Sequence, residues 1–337
     1  MKTMKYLSPS SISLFDQDRT EFYLKYLAPI SPSRLPQTQP MSVGSAFDAF
    51  VKSYMYERIH GTLIPEFERD TIFEQQVEKQ HWDWAREAGE YVFRCYKNSG
   101  ALADIMLEVE GAVEDPRFEF TVEGKVTHEA DVEGIPLLGK PDIDFTTKQG
   151  MGVTLDWKVN GYCGKTGASP KKGYIKSRDS WNHEKFPQSR THGKEHKDCQ
   201  IMMVGGLMMN VATGLESVDK TWARQTCIYC WLLGREVGSR FGVGIDQISS
   251  NGSRPGDKPL LRINTYRNKI SEKFQLELWN DIKRIWGIIQ SEWIFDELSR
   301  EASDERCRIL DDYHKAFQGD PEDKNEAWFT DVMRREW

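Results

Sequence analysis

Cysteine is scarce in this sequence: six among 337 residues, too few for a disulfide scaffold, so reduced thiols are expected. Long apolar runs are missing as well. None approaches the roughly 20 residues that a membrane helix needs, and Met1-Lys2-Thr3-Met4-Lys5-Tyr6 leads into no apolar secretory core, so a cytoplasmic protein with no membrane partner is expected. Neither GxxxxGK(S/T) nor a strand-linked GxGxxG occurs, which argues against a nucleotide cofactor. There is no internal repeat and no low-complexity tract. Net positive charge is absent too. A balance of −7 argues against a protein that coats nucleic acid over its whole surface, yet screening over about 10 Å lets a local basic groove decide contact.

What is present, 39% hydrophobic and 29% charged residues, is the composition of an ordinary globular protein with ample material for a core. Ser8-Pro9-Ser10-Ser11 reads as a helix start, with Ser8 as cap and Pro9 at the first helical position. Ile12, Phe15, Phe22, Tyr23, Tyr26 and Leu27 follow at near-helical spacing and read as a packing face. Pro29, Pro32, Pro36 and Pro40 interrupt it as a loop. A second helix is expected from about Met41 to Ile59, with Asp48 at the edge of its apolar face, either solvated or turned inward as a ligand. Further helices are expected over 66–97. From Arg117 the period changes to two, and a meander of about four antiparallel strands is expected.

The most informative stretch is Gly139 to Lys158. Ile135 to Phe145 reads as one strand, Lys148-Gln149-Gly150 as a turn and Val153 to Lys158 as a second strand, which together make a hairpin. Alternation puts Asp156 and Lys158 on one face, and pairing across the turn brings Asp142 beside Asp156. Two ionised carboxylates about 4 Å apart repel by roughly 4 kcal/mol at an effective dielectric near 20. Such a pair calls for a proton, a cation or distance, and oxygen donors beside a lysine suit Mg2+ or Mn2+ rather than zinc.

Residues 159–197 read as a long irregular segment with nine basic residues against three acidic ones. Lys165, Lys171, Lys172, Lys176 and Arg178 are candidates for phosphate contact there, with Tyr174 and Trp181 available to stack on bases. Asp198 to Val211 is expected as a methionine-rich helix carrying Gln200. Thr226 to Leu233 is expected as a buried strand, Leu260 to Tyr266 as another, and Phe274 to Leu298 as a long amphipathic helix. Cys227 and Cys230 then point to opposite strand faces and read as core. His192, His196 and Cys199, with Cys163 or His183, have spacings that a structural zinc could accept, against loop histidines with no ligand role.

These residues together resemble the PD-(D/E)XK nuclease superfamily, in its RecB-like branch that includes many phage exonucleases. The motif is Pro141-Asp142 followed by Asp156-Trp157-Lys158. Ser8 to Ile12 with Phe22, Tyr23 and Tyr26 is similar to the family's first helix, Gly44 to Asp48 to its second-helix motif, and Asp198 to Met202 to the helix with a characteristic glutamine. Asp48 stands where many relatives have histidine, and Val204 where a tyrosine often follows the glutamine.

The resemblance implies an α/β (α+β) fold with a restriction-endonuclease-like core: a mixed central sheet flanked by helices, with N-terminal helices and a C-terminal helical extension. It places a nuclease domain over 1–299, helical to 115 and catalytic from 116, and a charged tail over 300–337. The implied activity is Mg2+- or Mn2+-dependent hydrolysis of DNA phosphodiester bonds by an exonuclease in phage-type recombination, repair or processing, acting in the host cytoplasm. Asp142, Asp156, Lys158 and Gln200 would be catalytic. Asp142, Asp156, Asp48 and the backbone carbonyl of Trp157 would hold metal. No iron-sulfur cluster is expected, since Asp18 stands nearest the place of the relatives' first-helix cysteine. DNA is the expected partner, with room for an oligomer and for a recombination or single-strand-binding protein. A catalytically lapsed nucleic-acid-binding protein on the same fold is the alternative.

Overall fold

The computed structural model describes residues 2–29, 36–114, 116–118, 121–129, 133–164, 167–168, 171–180, 190–250, 258–292 and 308. The chain divides into two compact units, Met1–Pro36 with Arg284–Trp337, and Gln37–Lys283. In the first, Ser8 caps helix α1 (Pro9–Gln17): its hydroxyl accepts the Ser11 N–H at 3.2 Å and Ser11 Oγ accepts the Ser8 N–H at 2.8 Å. This reciprocal pair satisfies two otherwise orphaned amides. Asp18 then caps α2 (Arg19–Tyr26) through the Glu21 N–H. Ile12, Phe15, Phe22, Tyr23 and Leu27 are buried, with Phe15 and Phe22 edge to face at 5.1 Å.

The second unit begins with a helical layer: α3 (Gln39–His60), α4 (Arg69–Gln76), α5 (Trp82–Asn98) and α6 (Ala101–Glu110). Gly89 lets α5 press on α3 immediately before Asp48, because a Cβ on Gly89 would lie 2.5 Å from the Cβ of Ala46. No larger residue fits that approach without displacing a backbone. The strands follow: β1 (Arg117–Phe118), β2 (Val122–Val126), β3 (Ile135–Gly139), β4 (Ile143–Thr146), β5 (Gly152–Asn160), β6 (Lys176–Ser180), β7 (Arg190–Lys194), β8 (Ile201–Val204) and β9 (Leu207–Asn210). Short α7 (Leu215–Val218), α8 (Lys220–Leu232), β10 (Gly242–Ser250), β11 (Leu261–Lys269) and α9 (Glu272–Gln290) complete the described order.

One sheet runs β1-β4-β5-β10-β11-β6-β7, with the β8–β9 hairpin joined to β11 through β9. β5 and β10 pair in parallel and β4–β5, β10–β11 and β11–β6 antiparallel, so the sheet is mixed. Alternation on β5 separates two faces. Val153, Leu155 and Trp157 share a core with Phe47, Val51, Tyr91 and Tyr96 of α3 and α5. Thr154 and Asp156 meet α8 through Cys230 and Gln225. The protein is a mixed α/β structure with helices on both faces of a central mixed sheet. Among the described residues, no helix is long and apolar enough to cross a membrane.

Four expectations are corrected here. The run Ile135 to Phe145 is two strands, not one: β3 pairs β2 in a separate two-stranded sheet, and β4 belongs to the main sheet. The break falls at Lys140-Pro141-Asp142, where proline removes a ladder donor. Asp198 to Val211 is no helix but the β8–β9 hairpin, turning at Gly205 and Gly206 with φ of 55° and 83°. Two positive φ values in sequence are the two-residue hairpin turn. Conversely, Thr226 to Leu233 is no strand: it lies in α8 and its end, begun by Asp219, whose carboxylate accepts the Thr221 and Trp222 N–H groups. A short apolar run buried all round has no period to separate helix from strand. Finally, the supposed irregular stretch 159–197 contributes β6 and β7 to the sheet.

Candidate active site

The β4–β5 hairpin forms as its sequence suggests. Ile143 pairs Leu155, and the next step of that register sets Asp142 opposite Asp156. Asp142 lies just outside β4, where its Oδ2 accepts the backbone N–H of Trp157 at 3.0 Å. Asp156 and Lys158 point to the same face of β5, and the Lys158 ammonium is ion-paired with Asp156 Oδ2.

Helix α8 closes over this pair. Gln225 Oε1 accepts from Lys158 Nζ at 3.0 Å, and its Nε2 donates to Asp156 Oδ1 at 3.2 Å and to the Tyr229 hydroxyl at 2.8 Å. With acceptor and donor ends both engaged, the Gln225 amide has one orientation. Helix α3 approaches through Asp48 and, one turn later, Lys52. Lys52 Nζ lies 3.0 Å from Asp142 Oδ1 and 3.2 Å from Asp48 Oδ2, and its side chain is 1% exposed.

The charges gathered here shift the ionisation of Asp142, Asp156 and Lys158. Burial alone would push the Asp142 carboxyl up; the ammoniums of Lys52 and Lys158 and the Trp157 N–H outweigh it and hold the group below the usual carboxylate range. At Asp156 burial dominates, and the Asp142 charge adds to it against the pull of Lys158, so that its pKa is pushed up to about 6. Burial favours a neutral Lys158, but Asp156, Asp142 and Asp48 reverse that and raise it. Lys158 is therefore a cation at neutral pH, suited to stabilise charge rather than to accept a proton.

A stability test follows from the sign of the Asp156 shift. A carboxyl whose folded pKa exceeds its unfolded value stabilises the fold below the unfolded value, and that contribution disappears as pH rises through the folded pKa. Asp142 acts in the opposite sense, with its contribution lost only as pH falls below the usual carboxylate range. Between about pH 4 and 6 the wild type should therefore lose stability relative to Asp156→Asn, as read from urea midpoints at several pH values. Parallel pH profiles for the two proteins would contradict the assignment.

The donor set can be tested against a metal. Asp142 and Asp156 offer hard oxygens, which suit Mg2+ or Mn2+. Asp156 Oδ2 is buried and, beside its ion pair with Lys158, receives no hydrogen bond. These two carboxylates fit a divalent ion. Asp48 stands on α3 with Lys52, which engages one oxygen of Asp48 at 3.2 Å and one of Asp142 at 3.0 Å. Among the described residues, no three His, Cys, Asp or Glu side chains are grouped to hold an ion.

Other candidates lie elsewhere. Gln200 is exposed in the approach to β8, where its N–H donates to Asn210 Oδ1 and its carbonyl accepts the Val211 N–H, and it does not reach Lys158, whose partners are Asp156 and Gln225. The glutamine that holds Lys158 is Gln225, with Tyr229 one turn on, a spacing hidden by reading Thr226 to Leu233 as a strand. Arg178 is buried on β6 against Asp104 at 2.5 Å, and Lys176 reaches the same carboxylate at 2.9 Å. Burial removes Arg178 from phosphate contact. Lys171 lies 3.4 Å from Asp219. Tyr174 stands edge-on between Tyr266 and His196. Lys172 is exposed and lines a cleft of about 580 Å³ with Lys220, Arg224 and Lys273 among acidic neighbours. Lys165, Trp181 and His183 lie outside the described residues. Cys199 Sγ donates to the Tyr174 carbonyl, and Cys227 and Cys230 are buried on α8. No protein-family model and no curated protein matches this chain, so function is argued from the site itself.

Proposed function

We propose that this chain is a divalent-metal-dependent nuclease of the PD-(D/E)XK class, with a restriction-endonuclease-like core, acting on DNA as an exonuclease in recombination, repair or processing. The observation that carries this reading is the gathering of Asp142, Asp156 and Lys158 at one end of the β4–β5 hairpin, with Gln225 bonded to both Asp156 and Lys158. Scattered surface charges would not share one half-buried amide that fixes their mutual orientation. Gln225, with Tyr229 four residues on and bonded to it, supports this reading in place of Gln200, which the resemblance had suggested.

Asp142 and Asp156, with the Trp157 carbonyl, would hold the ion. The chemistry supplied by such an ion, when bound, would be polarisation of a phosphate oxygen and a lowered pKa for water at the site. Lys158, kept protonated by its carboxylate neighbours, presents positive charge to the phosphate as negative charge grows. Gln225 aims that ammonium, and the Trp157 N–H aims Asp142. Tyr229, whose phenol burial pushes up, stays neutral and orients Gln225.

The direct experiment incubates linear duplex, covalently closed circular and single-stranded DNA with the protein, with Mg2+ and with EDTA. Mg2+-dependent loss of linear but not circular DNA is expected. Retained DNA binding without cleavage of any form would identify lapsed catalysis, and absence of both would defeat the proposal.

A further inference from the structure

Lys52 is the charged group in this site that nuclease chemistry leaves unassigned. It sits in the middle of α3 with its side chain 1% exposed, and its ammonium lies between Asp142 at 3.0 Å and Asp48 at 3.2 Å. A buried ammonium persists only where carboxylates compensate its desolvation. Here the compensation uses one oxygen from each of the two acids that would otherwise flank a second ion. Asp48 and Lys52 are four residues apart on one helix face, so α3 supplies the cation together with its anchor. The neighbouring pair is Asp142 with Asp156, where the buried Asp156 Oδ2 has the Lys158 ion pair but no hydrogen bond. Among the described residues no third His, Cys, Asp or Glu joins them in a metal-holding group.

We infer that Lys52 is a resident cation occupying the position of a second metal ion, so that the centre takes one divalent ion, between Asp142 and Asp156, and Asp48 is the anchor of Lys52 rather than a ligand. This rests on the nuclease reading of the site. Lys52 is then a positioning residue: it holds the Asp142 carboxylate toward the ion and neutralises the oxygen that faces away. Hydrolysis in this centre would rely on Lys158 rather than on a second ion to steady the negative charge.

The test counts bound Mn2+ on the full chain, by calorimetry and by the electron paramagnetic resonance signal of free Mn2+. The wild type should bind one ion. Lys52→Gln opens the Asp48–Asp142 position and should bind two, whereas Lys52→Arg should still bind one. Asp48→Asn should leave the count at one and the affinity within about threefold, while Asp142→Asn should weaken binding at least tenfold. The Asp48→Asn arm keeps the inference open to refutation if Lys52→Gln fails to fold. Two ions on the wild type, no ion at all, an unchanged count in folded Lys52→Gln, or a tenfold loss of affinity in Asp48→Asn would each overturn it. Two ions together with DNA cleavage would defeat the inference and leave the nuclease reading standing. One ion with no cleavage would do the reverse.

Discussion

Lys158→Ala should lower Mg2+-dependent DNA cleavage by roughly 10²- to 10³-fold while changing DNA affinity by no more than about threefold. The magnitude is that of removing one pre-aimed group that stabilises developing charge. The asymmetry follows from geometry. Lys158 is held by Asp156 and Gln225 inside the site, so it contributes to the reacting phosphate rather than to the length of a bound strand. Its removal also deprives Asp156 of its neutralising partner, so protonation of Asp156 should extend to higher pH and the residual activity should shift its pH dependence upward. Gln225→Leu should reproduce part of the loss, since Lys158 and Asp156 would keep their charges and lose their common bracket. Single-turnover cleavage of end-labelled DNA, with binding measured in Ca2+ or EDTA, separates the two effects. Undiminished cleavage by Lys158→Ala would remove the central support for the proposed activity.

The second large effect concerns stability. Arg267 is fully buried and donates to Asp246 at 2.8 Å and to Glu108 at 3.0 Å, while Asp246 also accepts the Tyr96 hydroxyl. Tyr96 in turn accepts the Trp157 indole N–H at 3.2 Å. This chain of bonds runs from β11 through β10 to the strand residue between Asp156 and Lys158. Asp246→Leu leaves a buried guanidinium short of a partner, a change that costs about 3–5 kcal/mol. Glu108 cannot fully replace it, because burial pushes its carboxyl toward the neutral form. Replacing both ends, Asp246→Leu with Arg267→Met, should recover a substantial part of that loss, since it leaves only Glu108 without its partner, and burial already pushes that carboxyl toward the neutral form. Urea midpoints of the single and double variants decide the matter. A double variant no more stable than Asp246→Leu would show that the pair is not the source of the effect.

The candidate site was legible in the sequence only where local rules set it. Asp142, Asp156 and Lys158 could be read because a turn at Gly150 and the two-residue period of β5 fix register and face without outside help. Asp48 could be placed on α3 because the apolar stripe of that helix is regular. Lys52 was passed over on the same helix, since a lysine among apolar residues looks solvent-directed until Asp142 is brought to it from 90 residues away. Gln225 was missed for another reason. It directly precedes Thr226 to Trp231, all buried, and such a run carries no period to mark a helix.

β10 shows the same limit in the fold. All nine of its residues are buried, yet Asp246, Gln247, Ser249 and Ser250 make the stretch look polar. Their burial is sustained by partners on other elements: Arg267 and Tyr96 for Asp246, and Asn160, Asn264 and Tyr266 for Gln247. By itself the sequence determined the capped first helix, the second helix and the hairpin that aligns two aspartates with a lysine, all through contacts between residues close in the chain. Only the tertiary structure decided which glutamine meets that lysine, which basic residues are buried in ion pairs and which ammonium lies between Asp48 and Asp142. Those outcomes depend on charges brought together from distant segments, where burial makes each group require its particular partner.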